Sequence, residues 1–379
     1  MKLNIRNSLY GCLAMAAVIS LSGPVRAQSS ADSFTELKKA PYTPIKNQAN
    51  SGTCWSFSTT SLIESQTIKN GYGDFDLSEM YTVRNIYLEK AHNYILRQGA
   101  AQFGPGGLGH DVVRAIAAYG AMPESAYSGL LLGVKQHDHT KMDGRLKMYL
   151  DSLLKSRPLP ADWMKGFQVI LDDYLGKPPE TFVYKEKTYT PKSFATEVLH
   201  FKADDYVNIT SYTHHPFYAP FILEAPDNFL NGSYYNVPLE EMIGLTARAV
   251  ESGYSVMWDA DVSNKFFHQG QGLALQLTDD KNIPKELSPD VPEVTYTQDM
   301  RQQLYENLTT QDDHLMHLVG VEKSKGGKRF FLVKNSWGNV GPYQGLIIVS
   351  EAYFAVNTVS LVVPKAALDA GMKAKLGLK

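Results

Sequence analysis

The sequence predicts an α+β fold, and three observations predict it. Helix-type signals dominate the first part of the 379-residue chain. Apolar, partly alternating runs separated by turn residues fill the last third. Aromatic residues at 11% and charged residues at 20% are the balance of a globular protein able to bury a large core, and no internal repeat appears.

The chain opens with "MKLNIRNSLYGCLAMAAVISLSGPVRAQSS". A basic start (Lys2, Arg6), an apolar stretch from Leu9 to Leu21, then Gly23-Pro24 and Val25-Arg26-Ala27 predict a secretory signal peptide over residues 1–27. The apolar run is too short for a comfortable membrane span, and no later run reaches that length. Cys12 lies inside the apolar stretch rather than just after it, which argues against a lipid-modified N-terminus. Loss of Lys2, Arg6 and Arg26 with the signal takes the formal charge from −2 to −5, so charge supplies no basic surface for nucleic acid.

Residues 28–42 are polar and read as a loose lead-in. Residues 54–70 suit a helix stopped by Asn70-Gly71, and Ser78 can cap a second helix running to about Arg97. "GAAQFGPGGLGHD" is a glycine-rich loop, followed by a short helix "VVRAIAAYG" ended by Gly120. Residues 128–237 differ in character: a charged amphipathic helix from Met142 to Lys155 and Pro- and Tyr-rich connections read as a mainly helical insertion packed on the main domain. Pro238 then starts a helix that ends at Gly253. "YSVMWDADVS", "HLMHLVGVEK", "KRFFLVKNSW" and "YQGLIIVS" read as strands, and "TVSLVV" as a last one before a short helical tail, residues 364–379.

Removal of the signal leaves Cys54 as the single cysteine, unable to form a disulfide within the chain. A thiol kept without a partner is kept for reactivity or as a small buried filler. A nucleophilic cysteine needs a lowered pKa, a base, a group orienting that base and donors for an oxyanion. The first turn of a helix supplies the first of these. The base must come from among ten histidines, and proximity in sequence does not choose it.

The stretch from Gln48 to Ser58 ("QANSGTCWSFS") resembles the nucleophile segment of papain-like cysteine peptidases. "DDHLMHLVGV" is similar to their histidine strand, and "KNSWGNVGPYQGLIIV" to their Asn-Ser-Trp-Gly segment, in the same order. The 260-residue gap between Cys54 and His314 exceeds the plain papain pattern and is similar to the bleomycin hydrolase and aminopeptidase C branch. The resemblance implies a papain-like fold over residues 43–363, with Cys54 on a helical half and the histidine and asparagine on an antiparallel sheet. It implies Cys54 as nucleophile, His314 as base, Asn335 orienting it, and Gln48 with the Cys54 N–H binding the oxyanion. Trp337 would shield the Asn–His contact, with Trp55 supporting the nucleophile. His317 is the other histidine on that strand; an odd offset puts it on the opposite face, as a packed residue. Gly106 and Gly107 resemble the glycines that line the non-primed side of the cleft, and a plain loop is the other reading.

The implied activity is peptide-bond hydrolysis through a thioester, without cofactor. In the resembled branch the chain's own terminal carboxylate lies in the cleft and meets the substrate's free amine, making an aminopeptidase; here the tail after "TVSLVV" is short. An open cleft would make an endopeptidase, and a fold without turnover a peptide-binding protein. The branch also forms hexameric rings, which makes a homo-oligomer an expectation. Ser51 stands where the plain papain signature has a disulfide-forming cysteine. The short signal and the lack of disulfides point to a bacterial exported protein, periplasmic or secreted. The histidines of "HDH" (His137, His139) and "HH" (His214, His215) lack a third ligand at recognisable spacing, so both read as surface loops and no metal is expected.

Overall fold

A computed structural model of the protein describes residues 33–379, so the expected signal and residues 28–32 lie outside the described residues. The lead-in, expected to be loose, instead forms strand β1 (Phe34–Lys39), antiparallel to the strand that carries the two histidines. Its polar composition is that of an edge strand facing water. Phe34 alone turns inward, edge-on to Phe330 at 5.0 Å.

Helices follow. α1 (Cys54–Lys69) is buried along nearly its whole length although most of its first ten residues are small hydroxyls or aromatics. α2 (Glu79–Leu96) is capped by the Ser78 side chain, which accepts from the Tyr81 N–H. α3 (Gly109–Tyr119) begins three residues earlier than the sequence suggests, because Asp111 reaches back to the Leu108 N–H. The expected insertion contributes α4 (Met142–Leu153), α5 (Trp163–Leu175), the hairpin β2 (Phe182–Tyr184) and β3 (Lys187–Tyr189), and α6 (Pro191–Glu197). Leu146, Leu150, Phe167 and Leu171 bury its helices against α2.

The end of that insertion is sheet. Strands β4 (Tyr206–Thr210), β5 (Pro220–Ile222) and β6 (Ser233–Asn236) extend one edge of the central sheet. Their tyrosines and polar residues suit a half-wet edge, which is why no apolar run announced them. After α7 (Leu239–Glu251) come β7 (Val256–Ala260), the short β8 (Phe267–His268) and β9 (Leu273–Ala274), α8 (Gln298–Glu306), β10 (His314–Ser324), β11 (Arg329–Lys334), β12 (Leu346–Ser350), α9 (Glu351–Asn357), β13 (Thr358–Pro364) and α10 (Ala370–Lys375). Among the described residues the sheet runs β5-β6-β4-β13-β7-β10-β11-β12-β9-β8, with β1 also on β10. It is antiparallel except for the β4–β6 and β9–β12 pairs.

Alternation along β10 divides the core. Leu315 faces α1 in one cluster with Cys54, Met257 and Val362. Met316 and Leu318 face α7 and α9 with Trp258, Phe354 and Val363. The tail joins this second face: Met372 of α10 and Leu376 just after it are buried there, and Lys375 Nζ meets Glu241 of α7 at 2.8 Å. Helix α10 therefore lies on the side of the sheet away from Cys54.

Candidate active site

Cys54 is the first residue of α1 and 7% exposed. The turn before it depends on Gly52, whose φ of +63° and contact with Pro105 leave no room for a side chain. Thr53 makes no side-chain cap, so the positive end of the helix is left to act on the sulfur. The backbone N–H groups of Leu315 and Trp55 also favour the thiolate. Burial outweighs them, with Asp259 and Asp312 adding to it, and the thiol is pushed up to about 12. The Leu315 contact places the sulfur beside the residue that follows His314.

His314 opens β10. Its Nε2 lies 2.8 Å from Asn335 Oδ1. That oxygen also accepts the Ser336 backbone N–H at 2.7 Å, and a backbone amide can only donate, so the group facing the ring is the amide oxygen and not the NH2. Nε2 must then carry the hydrogen, which leaves Nδ1 as the basic nitrogen. Asn335 is held from its other side by Gln269, whose Oε1 accepts from Nδ2 at 3.0 Å. Trp337 stacks on the imidazole with centroids 4.7 Å apart and covers the pair. Burial pulls His314 down to about 4, against the Asn335 hydrogen bond. Each of the two groups taken alone is thus driven neutral; proton transfer from sulfur to imidazole creates two opposite charges whose mutual attraction opposes that cost.

Gln48 reaches the site through a short ladder: its N–H donates to Ser336 O at 2.8 Å, and the Gly338 N–H donates to Lys46 O at 3.0 Å. Ser336 Oγ donates to Gln48 Oε1 at 2.5 Å, which leaves the Nε2 donors for an oxyanion. Cys54, His314, Asn335, Gln48 and Trp337 thus converge where the start of α1 meets the ends of β10 and β11. His317 does not join them. Lys334 Nζ donates to Ser61 Oγ at 2.8 Å, so the Ser61 hydrogen goes to His317 Nδ1 at 2.9 Å, under α1. Burial holds His317 well below the ordinary range.

A buried charged scaffold, absent from the sequence reading, supports these groups. Lys46 meets Glu79 at 2.7 Å and Asp76 at 2.6 Å. Glu64 accepts from Thr43 Oγ1 at 2.5 Å and from the Leu77 N–H at 2.8 Å, and Lys334 donates to Thr43 at 3.0 Å. Lys46 lies two residues before Gln48 and Lys334 one before Asn335, so the scaffold ties both loops to α1. The available signal was a charge inside an apolar run, Glu64 in α1 and Lys334 closing β11.

Trp55 donates from Nε1 to Pro105 O at 2.9 Å and packs under Gly107, which fixes the glycine loop beside the nucleophile. A Cβ on Gly106 would overlap the Asp227 carboxylate. Lys90 donates to the Gly104 and Gly106 carbonyls from below. The loop around Asp227 therefore closes over the non-primed glycine.

The two histidine pairs depart from expectation differently: His214 and His215 lie on a surface loop as expected, and His137 and His139 do not. His137 and His139 are buried, not surface groups: backbone bonds between residues 50 and 137–139 fold them under the loop that precedes Cys54. His214 and His215 do meet a third group, Glu224, with ligand atoms all within 4.8 Å. These are ligand types for a divalent cation, but Gln302 fixes a different arrangement. Its Oε1 accepts the Thr213 N–H at 2.6 Å, so its Nε2 donates to His214 Nδ1 at 2.9 Å. His214 Nε2 then carries the hydrogen and donates to Glu224 at 3.2 Å. The trio is a hydrogen-bonded clamp on a carboxylate, occupying the nitrogen a cation would need.

The Peptidase C1-like family matches residues 162–378, which include His314 and Asn335, and the Papain family cysteine protease description matches residues 27–92, which include Gln48 and Cys54. Aminopeptidase G of Lactobacillus delbrueckii subsp. lactis is 25% identical, over 86% of this chain and 82% of its own. Bleomycin hydrolase of Gallus gallus is 24% identical, over 89% and 84%. The crystal structure of PepW from Lactobacillus rhamnosis superposes with a TM-score of 0.69 at 21% identity, covering 90% of this chain and 84% of that one, and shows the same fold. With more than half its length matched, this chain belongs to the Peptidase C1-like family.

Proposed function

We propose that the protein is a cysteine peptidase that removes residues from the N-termini of peptides, with Cys54, His314, Asn335 and Gln48 as its working groups. The carrying observation is the His314 Nε2–Asn335 Oδ1 bond on a strand whose next residue meets the Cys54 sulfur. His314 Nδ1 takes the thiol proton and the sulfur attacks the carbonyl. The oxyanion is received by the Cys54 N–H and Gln48 Nε2. His314 then protonates the leaving amine, and water, deprotonated by the same nitrogen, hydrolyses the thioester.

The named aminopeptidases among the relatives, and Asp227 lying over Gly106, support release from the N-terminus over cleavage within a chain. Export rests on the signal-like residues 1–27, and assembly into rings rests on the resemblance alone. Hydrolysis of aminoacyl coumarylamides compared with N-acetylated peptide coumarylamides tests the activity. Preferred turnover of the blocked set would refute the aminopeptidase reading, and failure of a peptidyl epoxide to label Cys54 would refute the peptidase reading.

A further inference from the structure

An exopeptidase acting at a free N-terminus needs an anion for the substrate's α-ammonium, within one residue of the attacked carbonyl. Helix α10 brings no anion to the cleft, because it is packed on the far side of the sheet. The near side holds two carboxylates in its place. Asp312 lies two residues before His314; its Oδ2 accepts the Asp227 N–H at 3.4 Å, and its Oδ1 is buried with no hydrogen bond. Asp259 of β7 is paired across the sheet with Leu315, the residue whose N–H meets the Cys54 sulfur. Asp259 is 0% exposed; its Oδ2 accepts from Ser360 at 2.9 Å and its Oδ1 has no partner. Buried carboxylate oxygens are normally hydrogen-bonded, so two orphans beside one sulfur call for a donor from outside the chain.

The surroundings specify that donor. Burial first, and then neighbouring carboxylates, push Asp312 up to about 7 and Asp259 well above its ordinary range; the Lys90 charge opposes the shift of Asp312 without cancelling it. The nearby cation, Lys90, spends its donors on the Gly104 and Gly106 carbonyls. Asp227, held by Gln102 at 2.8 Å, stands over Gly106 and leaves no path for a second residue. A group that enters here is small, carries positive charge and has several N–H bonds, which describes a peptide α-ammonium.

We propose that Asp312, reinforced by Asp259, receives the α-ammonium of the substrate, so that selection for a free N-terminus comes from a side chain just before β10 backed by one on β7. This rests on the peptidase reading above. Asp312 is the binding group; Asp259 acts through it as a positioning residue.

The test uses the full chain and matched aminoacyl and N-acetyl-aminoacyl coumarylamides. Asp312→Asn lowers the free-to-blocked ratio of kcat/KM by at least about thirtyfold, mainly through KM, because a charged partner is lost. Asp259→Asn lowers the ratio less, again through KM. Two glycines appended after Lys379 displace the terminal carboxylate and leave the ratio within about threefold. Asp312→Ser serves as a second substitution should the Asn variant not fold, and epoxide labelling of Cys54 reports the intact site. An unchanged ratio in a labelled Asp312 variant, or collapse of the ratio on extending the tail, overturns the proposal. Loss of wild-type turnover on both substrates with Cys54 still labelled overturns the peptidase reading, and this proposal with it.

Discussion

The two faces of the central sheet are built from the same strands and carry opposite contents. The face toward α7, α9 and α10 is a continuous apolar layer: Trp258, Phe331, Val333, Tyr353, Phe354 and Leu361 are all essentially inaccessible. The face toward α1 buries a comparable set of aliphatic groups, and among them Asp259, His317, Lys334, Glu64 and Ser61. Buried polar groups cost stability unless paired, so a fold concentrates them where they serve chemistry and leaves the other face to hold the molecule together. The comparison teaches that the buried polar groups and the continuous apolar layer are segregated by face.

The largest effects expected are on activity alone, where the start of α1 meets the head of β10. Cys54→Ser and His314→Ala each reduce aminoacyl coumarylamide turnover by at least about a thousandfold, with melting temperatures near wild type. His317→Ala is the contrasting variant: it leaves turnover within about tenfold and lowers the melting temperature, because His317 packs against Ser61 instead of facing substrate. Equal losses in the two histidine variants would erase the distinction.

The opposite face is probed by Phe354→Ala, which deletes a fully buried ring. Chemical denaturation should show a loss of about 3–5 kcal/mol, with kcat/KM per folded molecule within about twofold. A large fall in kcat/KM at full folding would mean that the faces are coupled. Trp337→Ala sharpens the picture within the site. It exposes the His314–Asn335 bond to water and lowers kcat by about tenfold with a smaller change in KM.

The smallest effect is a pH dependence of stability. Burial, and then Glu79, push Glu124 up from its ordinary range to about 8. The folded state therefore holds this proton between about pH 4.5 and 8 while the unfolded chain has released it. The contribution is full below that window and is lost as pH rises through it. Glu124→Gln removes the loss: thermal melts should show it indistinguishable from wild type near pH 4.5 and more stable at pH 8.5, by on the order of 1 kcal/mol.

Much of the site is local in the sequence, and that part was legible. Cys54 at a helix start, Asn335 after a buried strand and His314 at the head of another follow from turn residues and periodicity, and the spacing of Gln48, Cys54, Trp55 and Trp337 carried the resemblance. The misreadings share one cause. β1 and β4–β6 lie at or near the margins of the sheet, their polar composition imitates coil, and β1 and β4 pair with strands far away in sequence. The burial of the "HDH" segment is created by Asn50, in a loop far earlier in the sequence.

The sequence by itself determined most of the order of elements and the place of Cys54 at a helix start, because each depends on neighbours within a turn or a strand; its partners were legible only through the resemblance. Only the tertiary structure decided where the tail docks, which carboxylates stand unpaired beside the sulfur, and what covers Gly106. Those outcomes depend on which strands become neighbours and which face each side chain takes, and burial and hydrogen bonding across such distances are properties of the packed chain, not of any segment of it.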